Sequence, residues 1–120
     1  MLSLPDSVRI YLAAEPADLR KSFDGLAALV RDFLQADPLS GHLFVFRNKA
    51  GDRLKLLYWE EGGYAIWYKR LEVGVFQFPR VGDGRRVEIR AADFAMLLDG
   101  VDLDSVKRRK RYQRPATTTP

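Results

Sequence analysis

Three extended runs follow one another with almost nothing between them, and no other part of the chain limits the fold so tightly. HLFVFR spans His42 to Arg47, RLKLLYW spans Arg53 to Trp59, and YAIWYKR spans Tyr64 to Arg70. The connections are NKAGD and EEGG, too short for a crossover and rich in the Gly and Asp that tight turns use. A chain connected in this way has to lay each run antiparallel to the one before, which predicts a meander.

The flanks are read from periodicity. VRIYLAA, Val8 to Ala14, alternates Val8, Ile10 and Leu12 against Arg9, Tyr11 and Ala13, the pattern of a strand with one buried face. Pro16 suits the first turn of a helix, and Asp18 sits where a carboxylate favours a helix N-terminus. Leu19, Phe23, Leu26, Val30, Phe33 and Leu34 then recur at steps of three and four, predicting one long amphipathic helix that ends before Asp37-Pro38. Gly25 within it points to a close approach by another element. VGVFQFP is expected to be extended, RVEI to be a last strand, and AADFAMLL a short helix with Phe94, Leu97 and Leu98 on one side and Gly100 as its stop. The fold class expected is α+β: a mostly antiparallel sheet of about five strands, one long N-terminal helix packed on it and a short C-terminal helix. The 120 residues, 47% of them hydrophobic, suit a single domain, read as residues 1–104, followed by a basic, disordered tail over 105–120.

Several function classes find no support. The chain has no Cys, which removes disulfides, thiolate zinc sites and Cys nucleophiles. His42 is the only His and follows Gly41 at a strand start, a structural setting; no GxSxG elbow accompanies it. There is no GxxxxGK[ST] loop. The carboxylates lie in turns or on exposed helix faces rather than converging as metal-dependent phosphoryl transfer requires. No catalytic residue, metal site or cofactor is therefore expected. The start, MLSLPDSVRIYL, has no basic n-region or long apolar run, so a cytoplasmic protein without membrane contact is expected.

Charge is unevenly placed. Residues 107–114, KRRKRYQR, carry six of the 20 basic residues and no acidic one, which leaves 14 basic against 16 acidic groups elsewhere, a balance of −2. A basic run on a near-neutral body points to a polyanion partner, with Lys107, Arg108, Arg109, Lys110, Arg111 and Arg114 contacting phosphates without base readout; the alternative is a solvated tail. In the body, Arg20 and Lys21 open the first helix and face water. In YAIWYKR, Tyr64, Ile66 and Tyr68 share one face and are read as core. Trp67 and Lys69 share the other. With Lys55 from the neighbouring strand, and with Arg70, they are either a basic aromatic patch for nucleic acid or ordinary strand positions. The register needed to decide is not readable from the residues.

The succession DLRKSFDGLAALV, then DPLSGHLFVFRNKAGDRLKLLYWEEGGYAIWYKRLEVGVFQFP, then MLLDGVD resembles the small accessory protein of insertion sequence 66 family elements, called TnpB or Orf2-like and distinct from the RNA-guided nucleases sharing that label. The resemblance runs from about Val8 to Asp102. It rests on the combination D-x-R-K-x-F-x-G-L, P-x-S-G-H-x-F-x-F-R-N and W-Y-K-R-L-E-x-G. Leu19 stands where Met is usual, Ser22 where Gly is usual, and Arg90 where a Ser or Thr cap is usual. The resemblance implies a bacterial mobile-element protein acting beside a separate transposase, without catalysis of its own. The expected partners are DNA, at transposon ends or nonspecifically, and that transposase, with self-association also possible. Arg20, Lys21, Lys55, Trp67, Lys69 and Arg70 are the expected body contacts. The rival expectation is a protein-binding adaptor that buries Trp59, Trp67 or Phe78 against its partner and touches nucleic acid only through the tail.

Overall fold

The expected meander is present in a computed structural model that describes residues 4–80 and 82–100. In chain order the elements are β1 (Ile10–Ala13), α1 (Phe23–Asp32), β2 (Leu43–Arg47), β3 (Arg53–Glu60), β4 (Gly63–Arg70), β5 (Arg86–Ile89) and α2 (Ala91–Leu98). One five-stranded sheet runs in the order β4-β3-β2-β1-β5. The turn between β3 and β4 has two central residues, Glu61 and Gly62, both at positive φ (46° and 85°). That is the hairpin turn whose twist matches the strands, and it fixes Glu60 opposite Gly63 and Lys55 opposite Tyr68.

Two expectations are corrected. The sheet is mixed rather than mostly antiparallel, because β1 pairs with β2 in parallel, Ile10 opposite Leu43 and Leu12 opposite Val45. Short loops force antiparallel pairing only for β2, β3 and β4; the β1-to-β2 connection contains a helix and is long enough to bring the chain back in the same direction. The N-terminal helix is short, ten residues from Phe23 to Asp32. Pro16 and Leu19 precede it in a loop, because the Asp18 carboxylate accepts the Arg20 N–H at 3.0 Å and closes a turn there instead of opening a helix. Ser22 stands at the N-cap without a side-chain cap bond. At the other end Arg86 of β5 donates to the carbonyls of Leu34 and, at 3.0 Å, Gln35, satisfying groups that a helix terminus leaves open. VGVFQFP forms no strand; Phe76 N–H donates to the Gly51 carbonyl at 2.8 Å and its ring is buried in the core.

The sheet is covered on both faces, which explains why β2 and β3 are apolar on both. Leu26, Ala27 and Val30 of α1, with Leu34, pack on Phe44, Phe46, Leu57 and Ala13. Phe94, Leu97 and Leu98 of α2 pack on the reverse face with Ile10, Leu12, Val45, Leu54 and Leu56. Gly25 gives room to its neighbour: a Cβ there would lie 3.0 Å from Cβ of Lys21. The lone His42 accepts the Arg9 N–H on Nδ1 at 3.0 Å, and the Leu43 N–H returns to the Arg9 carbonyl at 2.9 Å, so the ring helps align β1 with β2. Arg90 at the N-cap of α2 makes no cap bond, but its guanidinium pairs with the buried Asp93 at 3.3 Å. The domain boundary at 104 and the basic run from Lys107 to Arg114 lie outside the described residues.

Candidate nucleic-acid interface

The loop from Ala14 to Ser22 crosses one end of the sheet, held there by two contacts and closed on itself by a third. Ala17 N–H donates to the Arg47 carbonyl at 2.8 Å. Lys21 N–H donates to the Asp18 carbonyl at 3.1 Å. Lys55, only 9% exposed, reaches from β3 and donates through Nζ to the Lys21 carbonyl at 2.9 Å. The same ammonium lies 4.9 Å from the centroid of the Tyr68 ring, a cation–π contact across the hairpin. Lys55 is thus a strut: its charge is placed by the carbonyl and the ring, and its side chain fixes the loop that carries Arg20 and Lys21.

Tyr68 is 48% exposed, which corrects the expectation that it fills the core; Tyr64 and Ile66 on the same face do pack against the α1 side. Strand β4 is a sheet edge and α1 stops short of its far end, so the ring at that end has no layer above it. Arg53 donates from Nη1 to the Tyr68 hydroxyl at 3.2 Å. Asp18, Arg20, Asn48, Arg53, Lys55 and Tyr68, with Leu19, line an open recess of about 430 Å³. Lys21 and Arg53 have no carboxylate partner among the described residues. Arg20 grips Asp18 at 2.8 Å, and that bond holds the Asp18 carboxyl down to about 2. Arg70, opposite Arg53 across the hairpin, is turned to Glu72 at 2.9 Å. Both pairs are exposed, so each contributes little and its cation can turn to a phosphate instead.

The register separates the residues that the sequence left undecided. Lys55 shares the face of Tyr68, whereas Trp67 lies opposite Leu56 and Lys69 opposite Leu54, on the reverse face. The patch that would combine Lys55, Trp67 and Lys69 therefore does not form. Trp67 is half-buried against the α2-side core and Lys69 stands beside it at the edge. Lys21 lines the neighbouring recess instead. What the geometry assembles around Tyr68 is Arg20 and Lys55, with Arg70 on the same face of β4, together with Arg53, which the sequence reading did not single out. The two-residue turn at Glu61-Gly62 was the signal for it, since that turn fixes which face each β3 residue shares.

Fold and site together define a small α+β domain, one mixed sheet between two short helices, with cations gathered around an exposed ring at one end. The chain belongs to the family described as IS66 Orf2 like protein, whose model it matches over residues 8–108. It is 42% identical over 115 residues, 96% of this chain and 97% of the relative, to uncharacterized protein y4jC of Sinorhizobium fredii. It is 36% identical over 102 residues, 85% of this chain and 88% of the relative, to uncharacterized protein y4hO of the same organism. No solved structure matches the chain. Among the described residues no helix is long and apolar enough to cross a membrane, and no three potential metal ligands come together.

Proposed function

We propose that this chain is a non-catalytic accessory protein of insertion-sequence transposition that acts in the cytoplasm and binds nucleic acid, the partner transposase, or both. Family membership supports the transposition role. The nucleic-acid part is carried by one observation: a half-exposed tyrosine ring whose hydroxyl accepts from Arg53, a cation that lacks a carboxylate partner among the described residues. A ring offers a stacking surface to any base, and fixed cations beside it hold the phosphates on either side. Arg20 and Arg70 add to this surface once released from their exposed carboxylates, and Lys55 keeps it in shape. Trp67 and Lys69 serve only a ligand that wraps over the sheet edge. The basic run from Lys107 to Arg114 adds sequence-independent attraction. DNA, at transposon ends or nonspecifically, and the transposase are the partners of this reading, with self-association compatible with it.

A second reading, the protein-binding adaptor, is favoured by Val73 and Val75 after β4, 89% and 43% exposed. Binding of single-stranded and duplex DNA by the full-length protein separates the two. Tyr68→Ala is expected to weaken single-strand binding by about 1–3 kcal/mol and duplex binding by less, with Arg53→Ala weakening both. If both variants bind as the parent does while Val73→Asp abolishes association with the transposase, the adaptor reading replaces this one.

A further inference from the structure

The parallel strands β1 and β2 end side by side, and the loop entering β5 folds across their carboxyl ends. Between them lies a recess of about 570 Å³, larger than the one at Tyr68. Arg47, the last residue of β2, reaches into it. Its Nη2 makes one long bond to the Ala14 carbonyl at 3.5 Å, and its guanidinium lies 5.0 Å over the Phe78 ring. Its Nε is the one buried side-chain polar atom without a partner among the described residues. The guanidinium is thus short of acceptors, and a water or an anion in the recess can supply one. Burial also pushes the Arg47 pKa down, the direction expected of a cation set away from water with no counter-charge.

Arg85 repeats the arrangement across the recess. Its guanidinium lies 5.4 Å over the Phe33 ring and donates to the Phe33 carbonyl at 3.3 Å. A guanidinium placed over a ring is held in position, and the N–H groups not spent on the Ala14 and Phe33 carbonyls can fork onto two oxygens of one tetrahedral anion. Arg80 supplies a third cation. Glu15 and Asp83 also line the recess; they are exposed, as are Arg80 and Arg85, and all four are screened by water, so the half-buried Arg47 is the charge that sets its preference. A side-chain carboxylate from a protein partner would fill a small part of this volume; a phosphate with its nucleoside fits it. The recess shares Glu15 and Phe33 with a smaller apolar one, which in turn shares Asp18 with the recess at Tyr68, so the three follow one another around the Ala14-to-Ser22 loop.

We propose that the Arg47 recess seats a phosphate of a nucleic-acid strand, with Arg47 and Arg85 as its two guanidinium forks and the strand continuing toward Tyr68. The proposal rests on the nucleic-acid reading above and adds a second, separate contact to it. The test follows the Arg47 Nε–H resonance of the full-length protein while a short oligothymidylate is added at about 0.3 M salt, where exposed charges are largely screened. One strand carries a 5′-phosphate and a second a 5′-hydroxyl; a glutamate-rich peptide is the third ligand.

The strand is expected to shift Arg47 Nε–H saturably. Arg47→Gln should raise the Kd by roughly tenfold and Arg47→Lys by less, since a point charge replaces part of a fork. Should Arg47→Gln fail to fold, Arg85→Gln, at an exposed position, is expected to weaken binding in the same direction. A shift with the 5′-phosphorylated strand alone assigns the site to a terminal phosphate; equal shifts assign it to the internal backbone. A strand that binds and leaves Arg47 Nε–H unmoved overturns the proposal and leaves the broader reading standing. A strand that does not bind overturns both. A peptide that shifts Arg47 at lower concentration than either strand makes the recess a carboxylate site for a protein partner and overturns the proposal as well.

Discussion

In the proposed surface Lys55 acts without touching the ligand. Its ammonium is enclosed by the Lys21 carbonyl and the Tyr68 ring, so it orders the loop and the ring instead of offering a free charge. Lys55→Met keeps the stem and removes the bond, leaving a carbonyl that nothing else meets. The expected loss is about 1–3 kcal/mol in denaturant unfolding. Lys69→Ala, on the reverse face, should change stability by no more than about 0.5 kcal/mol. Equal effects from the two would show that Lys55 is not a strut. Asp18 allows a second check on the same loop. The Arg20 side chain, then its backbone N–H, hold the Asp18 carboxyl down to about 2 from 3.8. A depressed carboxyl contributes stability that is complete above the unfolded value and is lost as pH falls through the folded one, so the loop should loosen between about pH 4 and pH 2. The Asp18 carboxyl resonance should titrate near 2 in the parent protein and move up toward 3.8 in Arg20→Ala; no movement would mean that Arg20 does not set it.

Helix α1 begins against that loop, and Gly25 is where the two meet. Ala in place of Gly inside a helix normally adds about 1 kcal/mol. Here the new Cβ would stand 3.0 Å from Lys21 Cβ and 3.1 Å from its Cγ, and Lys21 is pinned through its carbonyl by Lys55. Gly25→Ala alone is therefore expected to gain little or nothing. In a Lys55→Met background Lys21 can move aside and the gain should return, a coupling of about 0.5–1 kcal/mol in a double-mutant cycle. Additive effects would mean that the loop is not held as described. Much of this arrangement was written in the sequence, some of it in a form that residue patterns do not reveal. The alternation in HLFVFR, RLKLLYW and YAIWYKR marked three strands, and EEGG marked their turn. Taken as a two-residue turn, it also fixed Lys55 opposite Tyr68 and so divided Lys55 from Trp67 and Lys69. The parallel pairing of β1 with β2 left no such mark, because a helix-containing connection permits either direction. The helix start was misplaced because Asp18, a good capping residue by type, bonds the Arg20 N–H two residues on and makes a turn. Tyr68 reads as core by alternation; only the position of α1 over the sheet decides that it is open.

Helices on both faces leave a nucleic acid only the ends and edges of the sheet, and cations are found there: Arg20, Arg53 and Lys55 at one recess, Lys21 at a second, Arg47, Arg80 and Arg85 at a third. Outside the basic run the chain carries a balance of −2, so its attraction for a polyanion depends on where charges stand rather than on their sum. In the reading proposed above, the run from Lys107 to Arg114 works by number alone. These two contributions separate by salt. Replacing Lys107, Arg108, Arg109, Lys110, Arg111 and Arg114 with Gln in the full-length chain removes up to six phosphate contacts. The slope of log K against log salt on duplex DNA should fall by about 5. What remains should be a slope of about −3 to −5, from Lys21, Arg53 and a released Arg20 and Arg70, with Arg47 and Arg85 where the strand reaches their recess. That residual binding, unlike the lost part, should depend on the aromatic ring, so Tyr68→Ala should weaken the Gln variant by a larger factor than it weakens the parent. A Gln variant with no residual binding, or one indifferent to Tyr68, would leave the run as the whole of the nucleic-acid contact and the folded body as a surface for protein. A residual slope that Tyr68→Ala leaves unchanged while lowering affinity would assign the ring to stacking and the cations beside it to phosphates, which is the division of labour the recess geometry calls for.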